Sequence, residues 1–158
     1  MSDDQITVTK TVDAGPEQLF AVLSTPSRHR DIDGSGMLRG TDTSSVSGVG
    51  DEFVMRMNND LLGDYEIKNR VTAYEQNRKI GWAPSLHPMD AHTDKLGDAR
   101  VTGHTYTWFL EPAGDGRTTV TQVYDWSGVT DPSFRGFLPL LNEQMLGDSI
   151  DKAARAAS

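Results

Sequence analysis

His104, Tyr106 and Tyr124 are the side chains in this sequence best suited to move a proton. An imidazole with an ordinary pKa of about 6.5 offers either protonation form near neutrality, and the two phenols offer hydroxyl groups. Such a set suits acid/base or oxyanion chemistry on an enolisable carbonyl compound. The plainer reading of His104 is a strand-end histidine close to solvent. Asn69 and Gln122 interrupt an otherwise apolar set of positions. A buried amide must be partnered, either by a ligand carbonyl or hydroxyl, or by a neighbouring side chain or water. His87, Asp90 and His92 are zinc-ligand types lying close together, but their spacing matches no metal signature and no metal site is expected. Lys10 could pair with a ligand carboxylate or act as an amine. More often such a stem lies along apolar surface while its ammonium reaches water.

Period two is what must position these residues. Ile6–Val12, Phe53–Met57, Tyr65–Ala73, Ile80–Pro84, His104–Leu110 and Val120–Trp126 alternate apolar with polar. That pattern predicts antiparallel strands with one face buried and one in water. Phe53, Met55 and Met57 share a face, as do Tyr65, Ile67, Asn69, Val71 and Ala73. Val54, Arg56, Glu66, Lys68, Arg70 and Thr72 take the opposite, mostly charged face. The row Arg56, Lys68, Arg70 lacks interleaved aromatics, so it reads as a solvated face rather than a nucleic-acid surface. Between the first strand and the rest, Gly15-Pro16-Glu17 opens a helix with Leu19, Phe20 and Leu23 as its buried stripe. Pro26 starts a second short helix through Ile32. Residues 34–50 read as loop with a weak strand around Met37–Arg39. Residues 85–103 carry no periodicity and read as a pocket rim, a lid or a plain surface loop. A long apolar helix is expected from about Phe137 to Ala156, its first turn bent or separate because of Gly136 and Pro139.

Bulk properties narrow the function classes. A length of 158 residues suits one domain, 1–158, with one core. The net charge of −8 argues against nucleic acid or an anionic membrane as main partner. The absence of cysteine excludes disulfides, thiolate catalysis and zinc–thiolate sites. No apolar run approaches the roughly 20 residues of a membrane span, and the acidic start Met1-Ser2-Asp3-Asp4 does not read as a secretory signal. A cytoplasmic protein, monomeric or weakly dimeric, is expected.

The chain resembles the START-related superfamily, also called SRPBCC or Bet v 1-like, and within it the bacterial polyketide cyclase/dehydrase group. The residues that carry the likeness are Ile6-Thr-Val-Thr-Lys-Thr-Val12 followed by Ala14-Gly-Pro-Glu-Gln-Leu-Phe20, then Asn69-Arg-Val-Thr-Ala-Tyr74, Gly81-Trp82, Thr107-Trp-Phe-Leu-Glu-Pro112 and Thr118-Thr-Val-Thr-Gln122. The resemblance implies an α+β helix-grip fold: a bent antiparallel sheet wrapped around a long C-terminal helix, two short helices after strand one, and a deep pocket between. No Rieske or metal motif is present, so the oxygenase branch of the superfamily is not supported and no cofactor is expected. The resemblance leaves three functions open: binding or transport of a small hydrophobic or aromatic molecule, lipid- or polyketide-like; an aromatase/cyclase-type enzyme using His104 with Tyr106 or Tyr124; and a chaperone-activator type of interaction module. The expected ligand-contacting wall is Met55, Met57, Tyr65, Ile67, Asn69, Trp82, His104, Tyr106, Trp108, Gln122, Tyr124 and Trp126, with Phe137, Leu141 and Met145 from the helix. These residues either enclose a cavity or fill it by packing against one another.

Overall fold

Each alternating stretch becomes a strand, and a further short one joins them. The computed structural model describes residues 4–34, 36–41, 45–97 and 99–157. Met1-Ser2-Asp3, and positions 35, 42–44 and 98 of the two expected loops, lie outside the described residues. The strands are β1 (Gln5–Val12), β2 (Leu38–Thr41), β3 (Glu52–Asn59), β4 (Gly63–Glu75), β5 (Lys79–Leu86), β6 (Thr105–Gly114) and β7 (Arg117–Asp125). They form one antiparallel sheet in the order β1-β7-β6-β5-β4-β3-β2. β2 is the strand expected near Met37–Arg39. His104 falls one residue before β6, and Trp126 one residue after β7.

Helices cover one face only. α1 (Pro16–Leu23) buries Leu19, Phe20, Val22 and Leu23. A 3-10 helix, Pro26–Asp31, follows it, and a proline sits in the first turn of each. That placement costs nothing, because the proline nitrogen would lack a helical acceptor there anyway. α2 (Thr93–Leu96) and α3 (Pro132–Arg135) are single turns. α3 is capped by Asp131, whose carboxylate accepts from the Phe134 N–H at 2.8 Å.

The terminal helix departs from expectation at its start. α4 runs Glu143–Ala157, so Phe137–Asn142 is not helical. Pro139 has no N–H to donate and clashes with the preceding turn, and it pushes Leu138 out of the helical region. The helix begins where Asn142 can cap it: its Oδ1 accepts from Met145 N–H at 2.9 Å. From there Leu146, Ile150 and Ala153 are buried, one stripe at helical spacing. Burial of Leu146 and Ile150 contributes on the order of 2 kcal/mol each.

Where α4 lies decides where space remains. It packs on α1, β1 and β7. Gly147 lets it sit close to β1, since a Cβ there would stand 3.3 Å from Lys10 Cε. Lys10 Nζ meets Asp151 at 2.8 Å, with both side chains about 40% exposed. A pair that wet is worth under about 1 kcal/mol, and Lys10 therefore serves the helix–sheet contact. The inner face of β3–β6 is covered by α1 at one end and otherwise left to the 3-10 helix and to loops. A bulge between Val71 and Ala73 hands the inward position at the end of β4 to Tyr74, which meets Phe20 edge-on at 5.2 Å.

Candidate functional site: an internal cavity

The uncovered part of the inner face encloses a cavity of about 240 Å³. Its floor is the sheet. β3 presents Met55 and Met57, β4 presents Tyr65, Ile67 and Asn69, β5 presents Trp82, Pro84 and Leu86, and β6 and β7 present Tyr106, Trp108 and Gln122, with His104 just ahead of β6. The roof is built from His29, Ile32 and Asp33 at the 3-10 helix, Met37 and Leu38, Phe134 of α3, the non-helical Phe137, Leu140 and Leu141, and Ser149 of α4. Leu96 and Val101 of the long loop complete the wall. Leu61, Phe137 and Leu140 line the cavity and are also exposed on the surface, so its mouth lies between the β3–β4 turn and the segment before α4.

Three polar atoms in this wall are fully enclosed and have no hydrogen-bond partner among the described residues: His104 Nδ1, Trp108 Nε1 and Gln122 Oε1. Burial without a partner is costly, and all three residues line the same space. Trp108 and Gln122 are direct cross-strand partners on β6 and β7. Burial drives the His104 pKa down to about 4, so its imidazole is neutral at pH 7. Aromatic rings surround it, with centroids at 5.4 Å (Phe134), 5.8 Å (Tyr106) and 6.3 Å (Tyr124).

His29 is a second buried imidazole, stacked on Trp82 at 4.9 Å. Its Nε2 lies 2.7 Å from the Leu23 carbonyl, which fixes the Nε2–H tautomer. Burial lowers its pKa to about 4, against the opposing effect of that hydrogen bond. Tyr106 stacks on Tyr124 at 4.7 Å and hydrogen-bonds to its hydroxyl, and burial raises Tyr106 far above the usual phenol range. The Tyr124 hydroxyl also accepts from Leu140 N–H at 3.0 Å, which ties the non-helical segment to the sheet.

The model of the family described as "Polyketide cyclase / dehydrase and lipid transport" matches residues 3–157. The chain belongs to this family. An uncharacterized protein of Mycobacterium tuberculosis strain H37Rv is 33% identical over 138 residues, 78% of this chain and 53% of its own length. The chain thus spans about half the length of the curated relatives it matches. Among solved structures, a protein from Arthrobacter aurescens superposes with a TM-score of 0.70 at 16% identity, covering 98% of this chain and 86% of that one. The di-domain ARO/CYC StfQ from the steffimycin biosynthetic pathway gives 0.62 at 17%, covering 96% of this chain and 44% of that one. Likeness at such identities establishes the shared fold, which is the α+β helix-grip arrangement.

In this polyketide cyclase/dehydrase family member, the cavity wall brings together Met55, Met57, Tyr65, Ile67, Asn69, Trp82, His104, Tyr106, Trp108, Gln122, Phe137 and Leu141. Three expected wall residues lie elsewhere. Tyr124 and Trp126 pack behind the wall in a cluster with Val129, Phe134 and Leu146. Met145 falls in the first turn of the late-starting α4, where its carbonyl faces Gly34. His104 is not close to solvent: it is 2% exposed, since Phe134 of α3 covers it. Among the described residues, no three His, Asp or Glu side chains converge as metal ligands, so His87, Asp90 and His92 form no such cluster. Sequence reasoning missed His29. Its signal was local, a histidine inside the Pro26 helix, but nothing in the pattern set that helix over Trp82.

Proposed function

We propose that this chain binds a small, mainly apolar molecule, lipid-like or polyketide-like, in the cavity and acts as a binder or carrier. The observation that carries the reading is an unfilled apolar and aromatic space at the centre of the fold. Protein interiors are close-packed, and a space of this size lined by Trp, Tyr, Met and Leu has the make-up of a ligand site. Burying about 250 Å² of apolar ligand surface would favour binding by on the order of 6 kcal/mol before association costs. The family description, which joins polyketide chemistry to lipid transport, supports the same class. An interaction module would call for a collapsed interior, and this interior is open.

Native mass spectrometry of freshly purified protein, followed by a thermal-shift panel of fatty acids, sterols and aromatic compounds, tests the reading. A ligand selective for the native state raises the melting point. Leu141→Trp, which fills the cavity from its roof, should abolish the shift while the protein stays folded. Absence of any co-purifying molecule together with a flat panel would sink the proposal.

A second reading is favoured by one observation: a neutral imidazole, the proton-accepting form, lines an apolar cavity with its ring centroid 5.8 Å from that of Tyr106. On that reading the chain is an aromatase/cyclase-type enzyme in which His104 is the base and Tyr106 the donor. Tyr124, which accepts from Leu140 N–H and keeps its own proton, is an alternative donor. His104→Ala would then abolish turnover of a ketide while leaving its affinity within a few-fold. Equal loss of both counts against it.

A further inference from the structure

We infer that Trp108 and Gln122 form a specificity-determining pair that reads a neutral hydroxyl group on the ligand, and that the cavity rejects carboxylates. The inference rests on the small-molecule reading above and narrows it to a chemical class.

The pair stands directly across β6 and β7, with Trp108 1% and Gln122 4% exposed. Both residues line the cavity, and both unpartnered atoms are fully enclosed. An indole N–H can only donate and an amide oxygen can only accept. A hydroxyl is the smallest group that accepts from the first and donates to the second. A ketone satisfies Trp108 and leaves Gln122 Oε1 bare. A carboxylate does the same and adds repulsion between oxygens.

Charge points the same way. Among the described residues no lysine or arginine lines the cavity, and Asp33 is the one carboxylate there. His29 and His104 are held neutral by burial. An anion entering this space would leave water without gaining a cation, and Asp33 would oppose it. The remaining wall is apolar and aromatic. A cavity of about 240 Å³ lies below the range typical for drug-sized ligands, so a molecule with two fused rings is a suitable probe.

Isothermal titration at pH 7.5 with naphthalene, 2-naphthol, methyl 2-naphthyl ketone and 2-naphthoate tests the inference on the intact chain. The expected order places 2-naphthol about tenfold tighter than naphthalene, the gain of a satisfied hydrogen-bonding pair. The ketone should fall between them and the carboxylate should be weakest. Gln122→Leu, which keeps the volume and removes the acceptor, should shrink the preference for 2-naphthol over naphthalene to no more than that of the ketone. Trp108→Phe provides a second variant from the donor side. If naphthalene binds and the hydroxyl adds nothing, or if ketone or carboxylate binds tightest, the pair does not read a hydroxyl, although the cavity still binds. If neither naphthalene nor 2-naphthol binds, the hydroxyl inference falls, and the small-molecule reading is decided by the co-purification and thermal-shift panel.

Discussion

Acid should destabilise this protein through His104, and His104→Phe should remove that sensitivity. In the unfolded chain the imidazole titrates at about 6.5, while burial holds the folded group at about 4. A folded pKa below the unfolded one means that the unfolded state binds the extra proton first. Stability is therefore fully present above about pH 6.5 and is lost as pH falls toward 4. At pH 4.5 an unfolded imidazole is almost wholly protonated, and the folded one is about one-quarter protonated. The difference costs the native state about 2.5 kcal/mol relative to pH 7.5. Phenylalanine removes the titration and the unpartnered Nδ1, and its ring can pack against Phe134, Tyr106 and Tyr124. The substitution should be neutral within about 1 kcal/mol at pH 7.5. His29 carries a similar shift, but it is present in both proteins and cancels in the comparison. Urea unfolding followed by tryptophan fluorescence at pH 7.5 and 4.5 measures all four stabilities. The variant should lose about 2.5 kcal/mol less than the wild type, or about 5–10 °C less in melting temperature. Parallel losses would refute the reasoning, because they would mean that folded His104 takes up its proton as easily as an unfolded one.

Two further outcomes follow from close contacts. Gly34→Ala should cost about 1–3 kcal/mol, since its Cβ would collide with the Met145 carbonyl oxygen and stand 3.2 Å from Ser149 N; an unchanged urea midpoint would show that α4 shifts freely. Thr118→Val should cost about 1–2 kcal/mol by stripping the Ala14 carbonyl of a buried 2.6 Å hydroxyl bond; a neutral effect would mean that the carbonyl finds another donor.

The strands were readable in the chain because side-chain alternation is imposed by the pleat itself and needs no distant partner. Met55, Ile67, Tyr106 and Gln122 could be assigned to one face on that ground alone, as could the charged row Arg56, Lys68 and Arg70 to the other. The α1 start and the 3-10 helix were equally local, being written in Pro16 and Pro26. The late start of α4 was half legible: Pro139 marked a break, but the site of renewal depended on Asn142 as a cap.

What no local pattern contained was depth. His104 is deeply buried because Phe134, thirty positions on, closes over it, and His29 joins the cavity because its helix lands on Trp82. Trp126 and Tyr124 alternate as faithfully as Trp108, yet they sit behind the wall because α3 and Leu146 fill the space before them. The sequence by itself determined which residues face inward. Only the tertiary structure decided which of those meet packing atoms and which meet open space, because that depends on where α4 settles across the sheet: over β1 and β7, away from the strands whose inner face lines the cavity.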